Sequence, residues 1–276
     1  MPGKVVVVGT PIGNLGDLSP RAAEALTSAD VVACEDTRRT GRLFQLLGLT
    51  APRLVRLDDH AEADEAPRLV ARAAAGETVA VVSDAGLPGL SDPGGRTVAL
   101  AVSEGVAVEV VPGPFAGAVA AVASGLLDGS GRFSFEGFLP RKGGERAARL
   151  AEVAADRRTV VVYEAPQRVA ATLADLAAVC GGDRLVALCR ELTKLHEEVW
   201  RGSLDAAVAH VAEHPPRGEF VLVLEAAPPP DPPTDDELRA LLEAERAAGA
   251  SARDAAAAVA AATGEPPNRV KRLASG

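Results

Sequence analysis

Five short apolar runs, Val5–Val8, Val31–Ala33, Leu54–Leu57, Val79–Val82 and Val106–Val111, alternate with segments whose apolar residues recur three and four apart. Those segments are Ser19–Thr27, Arg39–Leu47, Ala66–Ala75 and Gly95–Ser103. The first kind has the length and β-branched content of buried strands, and the second has helical period. Such alternation leaves little choice of architecture: the strands run parallel and the helices cover the sheet faces. It predicts an α/β domain over residues 1–113. After Pro112-Gly113-Pro114 the texture changes. Phe133–Phe138, Val160–Tyr163, Leu185–Cys189, Glu197–Gly202 and Phe220–Leu224 predict a second sheet, in an α/β domain over residues 114–227. Its last strands follow one another closely, which favours antiparallel pairing.

A proline run, Pro228–Pro233, predicts an extended spacer over residues 228–234. Beyond it, residues 235–276 hold three helical segments, Asp235–Ala248, Ala252–Ala262 and Pro267–Ala274. Ser251 is placed to cap the second, and Gly249 and Gly264 to end the first two. This predicts a helix-turn-helix-like unit with Arg269, Lys271 and Arg272 on its last helix. The unit carries six basic and seven acidic residues, so RNA contact and a plain protein-contact bundle both stand as readings.

The 276-residue chain is 47% hydrophobic and 24% charged, enough to bury a full core. Its formal charge of −9 excludes a surface that is basic throughout, so a polyanion would have to be held by a local basic patch. Cys34, Cys180 and Cys189 form no C-x-x-C pair, which supports neither a disulfide framework nor a zinc ribbon. The four valines before Gly9 are too few for a signal-peptide core, and the uncharged stretch Phe115–Leu127 is short of the ~20 residues of a membrane span. A soluble cytoplasmic protein with no membrane partner is expected. The four histidines are scattered, and His210-x-x-x-His214 runs into Pro215-Pro216; no metal site is expected.

Three loops follow predicted strands. The first, Gly9–Gly16, spaces its glycines four and three apart and so departs from the G-x-G-x-x-G of dinucleotide folds, although Glu35-Asp36 stands near the place of the ribose-binding acid. The second, Ser83–Gly94, packs three glycines, two prolines and two aspartates into twelve residues, where an ordinary connection needs two to five. Its composition describes a rigid loop that exposes backbone to a small ligand. The third, Val111–Ala116, opens a helix of small residues. Loops at the carboxyl ends of parallel strands converge on one crevice, where open α/β sheets bind ligands.

These loops and the motifs between them resemble the tetrapyrrole methylase superfamily of S-adenosylmethionine-dependent methyltransferases. Within it, the chain is similar to the enzymes that methylate a cytidine 2′-hydroxyl of small-subunit (16S) ribosomal RNA. The resemblance is carried by T-P-I-G-N-L-G-D at 10–17, E-D-T-R at 35–38, D-D-H at 58–60, S-D-A-G-L-P-G-L-S-D-P-G at 83–94 and V-P-G-P at 111–114. It continues in F-E-G-F-L-P-R-K at 135–142, Y-E-A at 163–165, R-E-L-T-K at 190–194 and G-E-F-V-L-V at 218–223. The chain departs from the pattern at Leu87, where Thr is common, and at Asp58, where His is frequent.

The resemblance implies two α/β domains with the cofactor, S-adenosylmethionine, folded in the cleft between them. Its contacts would fall at Pro11, Ile12, Ala85, Gly86, Leu87, Leu90, Phe115, Ala116, Glu164 and Leu192. Relatives act on a decoding-region cytidine in the assembled small ribosomal subunit, and the superfamily implies a homodimer. A ribose hydroxyl is a poor nucleophile at neutral pH, so its proton needs an acceptor. Glu35, Asp36, Glu164, Glu191 and Lys194 stand at predicted strand ends as a candidate catalytic group, with no base singled out. A network that merely orients the cleft is an equal reading for each. Arg38, Arg39 and Arg42, then Arg141 and Lys142 with Arg146, then Arg190 are candidates for RNA phosphate contact. Eight aromatic residues are too few for a broad stacking platform. Two alternatives stand beside this reading. One is a precorrin or uroporphyrinogen C-methyltransferase, which would want G-x-G-P-G-D and G-G-D-P in the loops. The other is a nonenzymatic RNA- or protein-binding module with a vestigial cofactor cleft.

Overall fold

A computed structural model describes residues 2–229 and 232–275; Pro230 and Asp231, at the centre of the predicted spacer, lie outside the described residues. The first sheet is built from β1 (Lys4–Val8), β2 (Val31–Cys34), β3 (Arg53–Arg56), β4 (Thr78–Val82) and β5 (Ala107–Val111), all parallel, in the order β3-β2-β4-β1-β5. Between them run α1 (Pro20–Ser28), α2 (Thr37–Leu46), α3 (Glu62–Ala74) and α4 (Gly95–Ser103). Strand side chains alternate between two cores, as the pleat requires. Val6, Val8, Val32, Ala80 and Val82 pack with Leu26 of α1 and Phe44 of α2, whereas Val5, Ala33, Val79 and Val81 pack with Leu69 of α3 and Ala101 of α4. The chain therefore leaves neighbouring strands β1 and β4 toward opposite faces, which opens a crevice at their carboxyl ends.

Helix α3 starts four residues before the predicted Ala66. Its acidic first turn hides the apolar period, and its start is fixed by Asp58, which accepts from Ala61 N (2.8 Å) through its side chain and from Glu62 N (2.8 Å) through its carbonyl. Glu62 then reaches across, buried, to accept from Gly94 N (3.0 Å), Thr97 N (3.1 Å) and the Thr97 hydroxyl (3.2 Å). A side chain from α3 thus caps α4 and holds the end of the 83–94 loop.

The second sheet has the order β6-β7-β10-β8-β9, from β6 (Phe133–Phe138), β7 (Thr159–Glu164), β8 (Leu185–Arg190), β9 (Glu198–Ser203) and β10 (Phe220–Leu224). Only β6 and β7 pair in parallel; β10 is antiparallel to β7 and β8, and β9 is antiparallel to β8. On one face lie α6 (Gly143–Ala155), α7 (Pro166–Cys180) and α8 (Leu204–Glu213). The other face is covered by α5 (Ala116–Ser124), which joins Val161, Ala187, Val221 and Val223 in a core that also takes in Ile12 from the first loop and Leu192. Burying Ile12 there contributes roughly 1.5–3 kcal/mol and ties the first sheet's loop to the second sheet. Both sheets belong to one compact unit, Met1–Ala227.

Pro228–Gly276 forms a second compact unit with α9 (Asp235–Ala247), α10 (Ala252–Thr263) and α11 (Pro267–Ala274) around Leu238, Leu242, Val259 and Val270. Thr234 and Glu237 form a capping box, Ser251 caps α10, and Gly264 ends it at φ 73°. Arg269 differs from expectation: it donates to Asp235 (2.7 Å), Glu265 (2.7 Å) and the Pro233 carbonyl (3.0 Å), an internal clamp that leaves Lys271 and Arg272 as that helix's exposed cations. Among the described residues, no helix is long and apolar enough to cross a membrane.

Candidate active site

The three loops are joined by main-chain contacts. Gly9 N donates to Val111 O (3.0 Å), and a Cβ on Gly9 would lie 2.6 Å from the Gly113 backbone, so both positions require glycine for the strands' ends to cross. Thr10 N donates to Gly86 O (2.8 Å) and Gly86 N returns a bond to Thr10 O (3.1 Å). Gly86 has φ 89°, a left-handed conformation that a β-carbon disfavours. A cavity of about 450 Å³ lies against these loops, with the second sheet as its other wall. That volume falls within the small-molecule range.

Ile12, Ala85, Gly86, Leu87, Leu90, Phe115, Ala116, Glu164 and Leu192 line this cavity, and Pro11 does not. Pro11 lines a neighbouring groove of about 620 Å³ together with Arg38, Arg39, Arg42, Leu43 and Leu46 of α2. Arg39 and Asp84 border both spaces, and Arg39 donates to Asp84 across 2.8 Å.

The five candidate catalytic residues do not gather in one place. Glu35 and Glu164 line the cavity. The Glu164 side chain is fully buried and committed: it accepts from Ala165 N (2.9 Å) and the Thr172 hydroxyl (2.6 Å), and pairs with Arg168 (3.1 Å). It orients the wall, with both of its oxygens engaged by the protein. Asp36 faces the groove instead, where it caps α2 by accepting from Arg38 N (2.8 Å) and binds the Arg38 guanidinium at 3.1 and 2.7 Å. That pairing holds its carboxyl well below the usual range. Glu191 and Lys194 bond each other at 2.9 Å, and Lys194 also donates to Glu219 at 2.9 Å. Burial pulls the Lys194 ammonium down, but its two carboxylate partners outweigh burial and hold it above its ordinary value. Its two carboxylate partners therefore hold Lys194 as a cation.

The turn that carries these residues is strained. Glu191 (φ 50°) and Thr193 (φ 65°) are left-handed without being glycine, and the buried Thr193 hydroxyl has no hydrogen-bond partner. The turn seats against Gly13, where a Cβ would lie 2.4 Å from Lys194 Cγ.

Of the other basic candidates, Arg141 and Lys142 are exposed just before α6. Arg146 is a scaffold residue bound to Asp175 (2.7 Å), Thr172 (3.0 Å) and the Pro140 carbonyl (2.9 Å). Arg190 is likewise engaged, with Glu198 (3.1 Å) and the Arg217 carbonyl (2.9 Å). His210 stacks on Trp200 (4.9 Å) and on His214 (4.6 Å).

Among the cavity residues that sequence reasoning missed are Asp84, Asp92, Phe138 and Tyr163. Phe115, Phe135, Tyr163 and Phe138 meet edge-to-face at 4.9, 4.9 and 5.6 Å, a cluster of which Phe115, Phe138 and Tyr163 line the cavity. Burial pushes the Tyr163 phenol up to about 12, and its oxygen accepts from Gly117 N (3.1 Å). The Asp92 carboxyl is raised to about 6, by burial first and by the charge of Glu35 next. Glu35 is itself raised, again by burial first and then by Asp84. The density of aspartates in the 83–94 loop was the signal that could have marked Asp92.

The sequence-family model for Tetrapyrrole (Corrin/Porphyrin) Methylases matches residues 4–208. Among curated proteins, the chain is 49% identical to "Ribosomal RNA small subunit methyltransferase I" of Mycobacterium tuberculosis, over 82% of this chain and 78% of the relative. It is 45% identical to the protein of that name from Synechocystis sp., over 82% and 80%, and 43% identical to that of Escherichia coli O157:H7, over 81% and 78%. Among solved structures, uroporphyrin III C-methyltransferase of Thermus thermophilus superposes with a TM-score of 0.59 at 21% identity, covering 81% of this chain and 97% of that one. Diphthine synthase superposes at 0.61 and 18% identity, over 81% and 90%.

Proposed function

Because the chain belongs to the tetrapyrrole methylase family, we propose that it is an S-adenosylmethionine-dependent methyltransferase of small-subunit ribosomal RNA, acting on a cytidine 2′-hydroxyl. The observation that carries this reading is the shared wall of Arg39 and Asp84 between a cavity of cofactor size and an arginine-lined groove. The cavity fits the cofactor's chemistry: Ile12, Leu87 and Leu192 offer apolar walls, and Glu35, Asp84 and Asp92 offer negative charge to a cationic donor. When bound, the cofactor supplies an electrophilic methyl group. Arg38 and Arg42 hold the RNA backbone beside the cavity, and Arg39, braced by Asp84, orients the entering nucleotide. The exposed Arg141 and Lys142 extend the basic path. In this reading the substrate is the decoding region of an assembled small subunit, and the enzyme is a cytoplasmic homodimer. A tetrapyrrole substrate has no observation in its favour beyond the shared fold.

Mapping ribose methylation in ribosomal RNA from cells with and without the gene tests the activity; an unchanged map refutes it. The groove has its own test. Arg38→Gln with Arg42→Gln lowers the salt slope of small-subunit binding by about 2 and leaves cofactor affinity unchanged. An unaltered slope moves the RNA path elsewhere.

A further inference from the structure

Five carboxylates line the main cavity: Glu35, Asp84, Asp92, Glu164 and Glu219. Three are occupied. Glu164 is saturated by Ala165, Thr172 and Arg168, Asp84 accepts from Arg39 (2.8 Å) and Asp36 N (3.2 Å), and Glu219 holds Lys194. Glu35 and Asp92 form no ion pair among the described residues, and both line the cavity, Glu35 just past β2 and Asp92 in the 83–94 loop. The charge of Arg39, which borders the groove, acts on Glu35, and that of Asp92 acts on Tyr163 of β7.

Resting on the methyltransferase reading above, we propose that Asp92 is the carboxylate that takes the proton of the acceptor hydroxyl, with Glu35 as the group that passes it to solvent. In this step an Asp92 oxygen forms the new O–H bond. The electron pair that held the proton stays on the ribose oxygen and forms the O–CH3 bond. The methyl group's former bonding pair leaves with the donor sulfur and cancels its positive charge. The groups that act on Asp92 are Glu35, Asp84 and Asp59 from the first sheet's loops, Ser83 at the start of its own loop, and Tyr163 from β7. All the charged ones are acidic. Together with burial they keep Asp92 a better proton acceptor than an ordinary aspartate, near the pH at which general bases work best. Glu35, on which the charge of the groove-lining Arg39 acts, provides the exit.

The test has two arms. Carbon-13 NMR of the cofactor-free protein should show one aspartate carboxyl titrating near 6 that is absent from Asp92→Asn. In single-turnover methylation of small subunits, Asp92→Asn should lose about 100-fold or more in rate at pH 7.5, and the rate decline of the unaltered enzyme below pH ~6 should disappear. S-adenosylhomocysteine affinity, by calorimetry, should stay within about 3-fold, which separates proton transfer from cofactor binding. An Asp92→Asn enzyme that matches an active parent in rate and pH profile overturns the assignment. So does an Asp92 that titrates in the ordinary aspartate range, a result obtainable even if the variant does not fold. A parent enzyme that methylates no ribosomal RNA overturns the functional reading instead.

Discussion

Both sheets carry carboxylates in or next to the lining of the cavity, and they treat them differently. On the second sheet, Glu164 and Glu191 are saturated: the first by a backbone amide, a hydroxyl and a guanidinium, the second by Lys194 and by Glu219 N at 2.8 Å. On the first sheet, Glu35 and Asp92 are left without cations and with raised pKa values. Topology explains the contrast. The parallel sheet delivers its loops to one edge, where long irregular connections have room for unpaired groups. The largely antiparallel sheet turns tightly and is covered by α5, α6, α7 and α8, so a carboxylate at its strand end is buried and must be paired. One wall is scaffold and the other is reactive.

The contrast makes its largest prediction at Glu164. Glu164→Ala strands Arg168 and Thr172 beside a cavity and should cost roughly 3–5 kcal/mol in denaturant-induced unfolding. Glu35→Ala should cost nothing at pH 8. Both Glu35 and Asp92 have folded-state pKa values above their unfolded ones, so the folded chain binds more protons, and the stability this contributes is lost as pH rises, for Asp92 from about 4 through about 6. Removing either relieves repulsion at alkaline pH. Equal destabilisation by the two alanine variants would erase the distinction between the walls.

A smaller effect is expected where backbone, rather than charge, shapes the reactive wall. At Gly86 a Cβ would sit 3.4 Å from Ile12 Cγ2, an ordinary contact, so the left-handed φ of 89° decides the outcome. Gly86→Val should therefore fold with a loss of about 1–3 kcal/mol. Its cofactor affinity, measured by calorimetry, should fall about 10-fold or more, because the loop relaxes away from Thr10. Full affinity in a folded variant would detach the 83–94 loop from the cofactor.

The same contrast governs how much was legible in the sequence. Strands and helices were readable to within a residue or two where apolar period was clear, as for β6 and β10, and the loops announced themselves by glycine and proline. Residue roles were less readable. Glu164 and Asp92 both stand in motifs, and only the positions of Arg168 and Thr172, four and eight residues on along α7, reveal that one is neutralised. Arg146 and Arg269 looked like phosphate ligands beside Arg38, because a sequence shows charge but not the distant partner that consumes it. Asp36 and Glu35 are adjacent in sequence, yet the strand end turns one into the groove and the other into the cavity.

The smallest expected effect concerns the terminal helices, and it extends the comparison from the two walls to the two compact units. Met1–Ala227 contains both sheets, all three loops and every residue of the cavity and groove. Pro228–Gly276 has its own core, its own caps and its own ion-pair clamp at Arg269. A chain ending at Ala227 should therefore fold and bind S-adenosylmethionine with an affinity within about 2-fold of the whole protein. With Arg269 consumed internally, Lys271, Arg272 and Arg253 are the cations with which this unit can meet RNA. Three exposed contacts of this kind change the salt slope of binding by at most about 3. Single-turnover methylation at saturating and subsaturating subunit concentrations separates the outcomes. Truncation should lower the rate only at subsaturating concentration, since a tethered second contact raises local concentration without entering the chemical step. A fall at saturation would make the helices part of the catalytic machinery, and no change at either concentration would reduce them to a protein-contact bundle.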